Sequence, residues 1–237
     1  MTQGKGSAVI YTIGDLHLPF GVGNKPMDIF PGWNDHVERL LKNWNSKITD
    51  DDTVVLVGDH SWALKLEDSL KDLEFIDKKL KGKKILSKGN HDLWWATTKK
   101  INDFIADNRF STISFLFNNA YLVEGISVCG TRGWISENGE PADQKVLNRE
   151  AGRLETSLQA GVKLGGELVA FIHYPPIYGT EENALITEIL HKYGVKRCYY
   201  AHLHGSSIKG ALNGERAGIN YTLVSADGVG FDPVKIK

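Results

Sequence analysis

Ten short apolar runs rich in β-branched residues punctuate the chain, and their spacing limits it to a small set of folds. They are Ala8–Ile13, Thr53–Val57, Lys84–Ser87, Ile113–Phe117, Tyr121–Val123, Ile126–Cys129, Leu168–Ile172, Lys196–Tyr200, Ser207–Leu212 and Ile219–Ser225. Each has strand length, and most are bounded by Gly, Asp, Asn or Pro. Helical periodicity fills several gaps. Val37, Leu40, Leu41 and Trp44 fall at i, i+3, i+4 and i+7, on one helical face. Leu66, Leu70, Leu73 and Leu80 suggest a helix over Trp62–Leu80. Residues 94–107, 143–160 and 182–193 read similarly, with Leu147, Ala151, Leu154 and Leu158 lining the fourth helix. Early strands that alternate with helices favour parallel β-α-β pairing, and the closer later strands favour hairpins. The expectation is an α/β fold in one domain, residues 1–237, with two packed mixed β-sheets flanked by helices.

Composition narrows the setting. A 41% hydrophobic content over 237 residues is enough to fill a core. No apolar run approaches the roughly 20 residues that cross a bilayer, so no membrane partner is expected. Met1–Gly6 leads straight into a strand-like stretch and reads as no secretory leader. Cys129 and Cys198 sit inside apolar runs, where a reduced, buried thiol is the default. A cytoplasmic protein is therefore expected. The net charge of −1 speaks against a broad basic surface for nucleic acid.

The polar residues fall in a pattern. Asp15, Asp59, Asn90, His173 and His202 each follow the end of an expected strand by a few residues, and ligand sites of open α/β sheets gather outside the carboxyl ends of strands. In Gly14-Asp15-Leu16-His17, side chains two apart point the same way in extended chain, so Asp15 and His17 can grip one cation. In Gly58-Asp59-His60-Ser61, the glycine permits a tight exit, and a carboxylate such as Asp59 can bridge two cations. Asp59 or Ser61 can equally cap the helix from Trp62, and His60 either lines the pocket or faces solvent. In Gly89-Asn90-His91-Asp92, Asn90 can offer its carbonyl oxygen to a metal while His91 faces a substrate. Asp92 either fixes the His91 ring or caps a helix beginning near Leu93. Tandem prolines leave His173 on a rigid strand edge. In Ala201-His202-Leu203-His204-Gly205, the two histidines suit paired ligation. Each motif alone has a bland reading as a turn, cap or packing residue; together they place five of the eight histidines just after strands. His36 and His191 read as surface or packing residues, and Trp94 and Trp95 as core.

Taken in order, Gly-Asp-x-His, Gly-Asp, Gly-Asn-His-Asp, an isolated His and His-x-His resemble the calcineurin-like metallophosphoesterase superfamily, over residues 14 to 205. The stretches Gly130-Thr131-Arg132-Gly133-Trp134 and His173-Tyr174-Pro175-Pro176 look like a bacterial branch of predicted phosphohydrolases. The resemblance implies one metal held by Asp15, His17, Asp59 and His204, and another by Asp59, Asn90, His173 and His202, with Asp59 as the bridge. It gives His91 the catalytic role, contacting the phosphoryl oxygen or protonating the leaving group. Two divalent ions are implied, and a nitrogen–oxygen ligand set without thiolate suits Mn, Fe or Zn. The expected reaction drives water onto phosphorus in a small phosphoester, mono- or diester. A nuclease with the same site is the alternative, and a non-catalytic protein-binding scaffold a further one. Arg132 is a candidate phosphate contact because its planar fork matches phosphate oxygens, against a surface salt bridge. One departure stands out. Many members carry Asp or Asn three positions after the bridging Asp, where this chain has Trp62.

Overall fold

The computed structural model describes residues 8–23, 25–134 and 144–237. The reading of Met1–Gly6 and the first residue of the expected fourth helix, Asp143, lie outside them. The strands in chain order are β1 (Ile10–Ile13), β2 (Thr53–Val57), β3 (Lys83–Ser87), β4 (Ile113–Leu116), β5 (Tyr121–Val123), β6 (Ile126–Thr131) and β7 (Glu167–Ile172). They continue with β8 (Ile177–Tyr178), β9 (Glu181–Glu182), β10 (Arg197–Tyr200), β11 (Gly214–Arg216), β12 (Ile219–Leu223) and β13 (Val234–Lys235). The helices are α1 (His36–Lys47), α2 (Leu70–Lys78), α3 (Thr98–Asp107), α4 (Gln144–Leu164) and α5 (Ala184–Lys192).

One sheet runs β13-β1-β2-β3-β4, and the other β11-β12-β10-β7-β6-β5. β1 to β4 are mutually parallel, as are β6, β7, β10 and β12, while β13, β11 and β5 join antiparallel at the edges. The period-2 alternation of β2 shows how the layers form. Val55 and Val57 face the second sheet, packing with Val128, Val169 and Phe171. Val54 and Leu56 face outward with Leu40 and Trp44 of α1 and Leu73 and Ile76 of α2. On the far side, Leu154 and Leu158 of α4 and Ile186 and Leu190 of α5 cover Ala170, Cys198 and Tyr221. The result is the expected helix–sheet–sheet–helix sandwich. Both cysteines are free and buried, and among the described residues no helix is long and apolar enough to cross a membrane.

Three local expectations fail, each for a tertiary reason. The helix expected from Trp62 begins only at Leu70, because Trp62 N–H bonds the Leu18 carbonyl (3.3 Å) and Leu18 pairs with Ser61. The helix expected from residue 94 begins at Thr98, where the Thr97 hydroxyl accepts from Lys100 N–H. Ser207–Leu212 is a short 3-10 turn over Gly205–Gly210 rather than a strand, with Ser207 N–H bonded to the His204 carbonyl (3.0 Å).

Candidate metal centre

Parallel strands put their carboxyl ends on one edge, so β1, β2 and β3 deliver three motif loops together, and β7 and β10 deliver two more from the other sheet. The edges are tied directly. Gly14 N–H donates to the Val224 carbonyl (2.7 Å) and Ala201 N–H to the His173 carbonyl (3.1 Å). Close approach requires glycine at two positions. Gly58 has φ of 81°, and a Cβ there would meet Gly89 Cα at 2.7 Å. A Cβ on Gly89 would fall on the backbone nitrogen and a carboxylate oxygen of Asp59.

The loops bring all seven expected ligands into one constellation. His17 Nε2 lies 3.4 Å from His204 Nε2 and 3.9 Å from Asp59 Oδ2. Asp15 Oδ1 lies 3.7 Å from His204 Nε2 and 3.8 Å from His173 Nδ1. Asn90 Oδ1 is 2.7 Å from His173 Nε2 and 2.9 Å from His202 Nδ1, and Asp59 Oδ2 is 3.4 Å from His173 Nε2. Donor atoms bound at ~2.0–2.2 Å to one cation lie roughly 3–3.5 Å apart; the His17–His204 and Asp59–His173 spacings of 3.4 Å match this, and the others lie within about half an ångström of it. Among the described residues, two groups of Asp and His could hold an ion: Asp15, His17 and His204, and Asp15, Asp59 and His173. Asp15 is common to both, whereas Asp59 Oδ2 touches a histidine of each.

Two further observations bear on this place. Asp15, His17, Asp59 and His202 all have φ between 45° and 75°, the left-handed region that costs a non-glycine residue about 1–2 kcal/mol. Asp15 Oδ1, between His204 and His173, is buried with no hydrogen-bond partner, and such atoms are rare unless something else satisfies them. Burial pushes the His17 and His202 rings down to about 3, so both are neutral ligands at neutral pH. Burial would also lower His173, but the Asp59 and Asp15 carboxylates outweigh it and hold that ring above its ordinary value. Burial works to raise Asp59, and the neighbouring His173, by its charge and its hydrogen bond, reverses it, keeping the carboxyl well below the usual range.

Neighbours fix the ligand rings. His173 Nδ1 meets the Val57 carbonyl at 2.9 Å, which only accepts, so Nδ1 carries the hydrogen and Nε2 faces the site. His204 Nδ1 meets Asp227 Oδ1 at 2.8 Å, which turns its Nε2 the same way. Asp227 was not among the expected residues. Its signal is the one that marked the others, a carboxylate two residues past the apolar run Ile219–Ser225.

The remaining candidates separate. His91 is exposed, its N–H donates to Asp59 Oδ1 (2.8 Å), and its ring lies 4.7 Å from Trp62 and 5.6 Å from His17. Asp92 neither fixes His91 nor caps a helix. Its fully buried carboxylate accepts from Asp59 N (2.9 Å), His60 N (2.9 Å), Gly89 N (2.8 Å) and the Trp94 indole (3.0 Å), which clamps the second and third loops together. His60 does not line the pocket either. It is fully buried, with Nε2 on the Ser87 carbonyl at 2.7 Å, beyond reach of a substrate. Arg132 lies over Trp134 and pairs at 3.4 Å with buried Glu150, which Arg153 also holds at 2.6 Å. It lines a small pocket with Lys88 and Arg153, apart from the cleft that holds His91. His36 is buried against Trp33 and Phe231.

A four-layer sandwich that gathers Asp, Asn and His at the abutting edges of its sheets is the architecture of the metallophosphoesterases. A family model for calcineurin-like phosphoesterases matches residues 8–206. The chain belongs to that family, whose general activity is metal-dependent phosphoester hydrolysis. Comparison with curated protein sequences finds no match. Among solved structures, TT1561 of Thermus thermophilus superposes with a TM-score of 0.59 at 12% identity, over 98% of this chain and 99% of its own. AQ665 of Aquifex aeolicus, described as a protein of unknown function, gives 0.51 at 18% identity over 97% and 96%. At such identities these likenesses show a shared fold.

Proposed function

We propose that the chain hydrolyses a small phosphate ester at a centre of two divalent cations, Mn, Fe or Zn. Asp15, His17, Asp59 and His204 would hold one cation, and Asp59, Asn90, His173 and His202 the other. The carrying observation is that Asp59 Oδ2 lies within 4 Å of a histidine from each set, 3.9 Å from His17 and 3.4 Å from His173. When bound, such cations neutralise phosphate oxygens and make water acidic enough to react near neutral pH.

The chain's own residues supply the rest. Asp227 and the Val57 carbonyl hold the Nδ1 hydrogens of His204 and His173, so both rings are oriented with Nε2 toward the site. His91 stands at the mouth of the cleft, exposed, with its backbone pinned to Asp59. There it donates a proton to the departing oxygen, a contribution worth about 10²–10⁴-fold in general acid catalysis. Two buried free thiols and the net charge of −1 support a cytoplasmic enzyme acting on a small ester rather than a nucleic acid. The test is hydrolysis of p-nitrophenyl phosphate and bis-p-nitrophenyl phosphate by Mn²⁺-loaded protein, before and after chelation. Loss on chelation and recovery on readdition are expected. Inactivity of the loaded protein on both esters and on a nucleotide panel refutes the proposal.

A further inference from the structure

The cleft beside the ligands has a volume of about 750 Å³, within the usual range for a small-molecule site. His17, His91 and His204 form one end of it. The remaining wall is mainly Met27, Phe30, Pro31, Trp33 and Trp62. Two of these are structural: Met27 and Trp33 are buried in the core of the first sheet, at 6% and 3% exposure. Phe30 between them is 48% exposed, although the loop on either side is anchored. Trp62 donates its indole N–H to Met27 Sδ (3.3 Å) and stacks on the His17 ring at 4.6 Å and 19°. Trp33 meets His17 and His204 edge-on at 5.6 and 5.5 Å. A wall of three aromatic rings therefore begins at the ligand histidines and leads away past His91.

Resting on the hydrolase reading, we propose that the organic group of the ester is an aromatic ring system, seated against Phe30 between Trp33 and Trp62, with its oxygen toward His91. A bare sugar or polyol would lose water there for few polar partners. An aliphatic chain would gain burial alone. A flat ring gains burial and the offset or edge-on geometry that aromatic pairs prefer. Trp62, standing three residues after Asp59 where a polar residue is common among relatives of this pattern, is thereby a specificity residue.

The proposal is tested with esters of primary alcohols of nearly equal acidity, so that rate differences report binding in the transition state rather than leaving-group reactivity. 2-Phenylethyl, 2-cyclohexylethyl and n-propyl phosphates are compared as monoesters and as methyl diesters on Mn²⁺-loaded protein. The phenylethyl ester is expected to exceed the propyl ester at least about tenfold in kcat/KM, equivalent to about 1.4 kcal/mol, with the cyclohexyl ester between them. Phe30→Ala should cut the phenyl-to-propyl ratio by about fivefold, whereas a disturbance of the ligand set would slow all three alike. A ratio within twofold, a cyclohexyl ester as good as the phenyl one, or a ratio unchanged in Phe30→Ala overturns the aromatic pocket and leaves the hydrolase reading intact. If none of these alkyl esters is cut, the hydrolase reading is still decided by the nitrophenyl esters and nucleotide panel, and the pocket is judged by calorimetry. Tighter binding of 2-phenylethylphosphonate than of n-propylphosphonate then sustains it, and equal or absent binding overturns it.

Discussion

Replacing Asp92 by asparagine separates a structural clamp from a catalytic partner. Each oxygen of this buried carboxylate accepts two N–H groups: Asp59 and Gly89 on Oδ2, His60 and Trp94 on Oδ1. Asparagine keeps one oxygen and turns an NH₂ toward the other two donors, so two of the four bonds are lost. Hydrogen bonds to a charged group contribute about 1.5–3 kcal/mol each, giving a cost of about 3–6 kcal/mol. Against a typical total of about 5–15 kcal/mol, that is a large fraction. Urea unfolding followed by tryptophan fluorescence reads it directly. With a slope of about 3 kcal/mol/M for a chain of this size, the midpoint should fall by about 1–2 M. Hydrolysis should fall as well, because the Asp59 and Asn90 loops lose their tie. A midpoint within about 0.3 M of wild type, with activity abolished, would refute the clamp and restore Asp92 as a partner of His91.

Asp59→Asn should abolish metal-dependent hydrolysis while the chain stays folded, read by steady-state kinetics beside circular dichroism. His91→Ala should lower kcat by about 10²–10⁴-fold with metal content unchanged by elemental analysis. Gly89→Ala sets a methyl group on the backbone nitrogen and carboxylate of Asp59, so both activity and thermal stability should drop. Burial pushes Asp72 up to about 6 from 3.8 even though Ser61, Phe20 and Gly21 donate to it. The native state therefore binds more protons than the unfolded state between those values, and stability falls as pH rises through the window. From pH 4 to 7, wild type should lose about 2 kcal/mol relative to Asp72→Asn, measured by urea titration at each pH.

What the sequence made legible was whatever local pattern encodes. The strand ends, the residues just beyond them and the layered architecture follow from periodicity and from polar residues placed after apolar runs. Long-range contacts stayed hidden. Asp92 sits next to His91 in the chain, yet its partners Asp59 and His60 are 33 and 32 residues away, so adjacency suggested the wrong pairing. His60, beside the bridging candidate, points back into the core toward Ser87. Nothing local marks β13, which adds antiparallel to β1 through Tyr11 and Lys235. Trp62 was visible as a departure, but its consequence depends on the Met27–Trp33 segment folding over it.

Strain explains why these local rules bend where they do. Four candidate ligand residues in the left-handed region, at about 1–2 kcal/mol each, together cost about 4–8 kcal/mol, comparable to the whole stability of many domains. Such conformations persist only when the surroundings over-determine them. The surroundings here are identifiable: the Asp92 clamp, the glycine contact between Gly58 and Gly89, and parallel strands that fix where each loop starts. A scatter of ordinary turns and caps would not need them. Each motif admits a bland reading taken singly, but a turn that merely reverses the chain has no reason to hold Asp15 and His17 strained, buried and short of partners beside His204. A cation held beside Asp15 Oδ1 and His17 Nε2 would offset part of that cost, and this convergence carries the functional reading further than any one motif does.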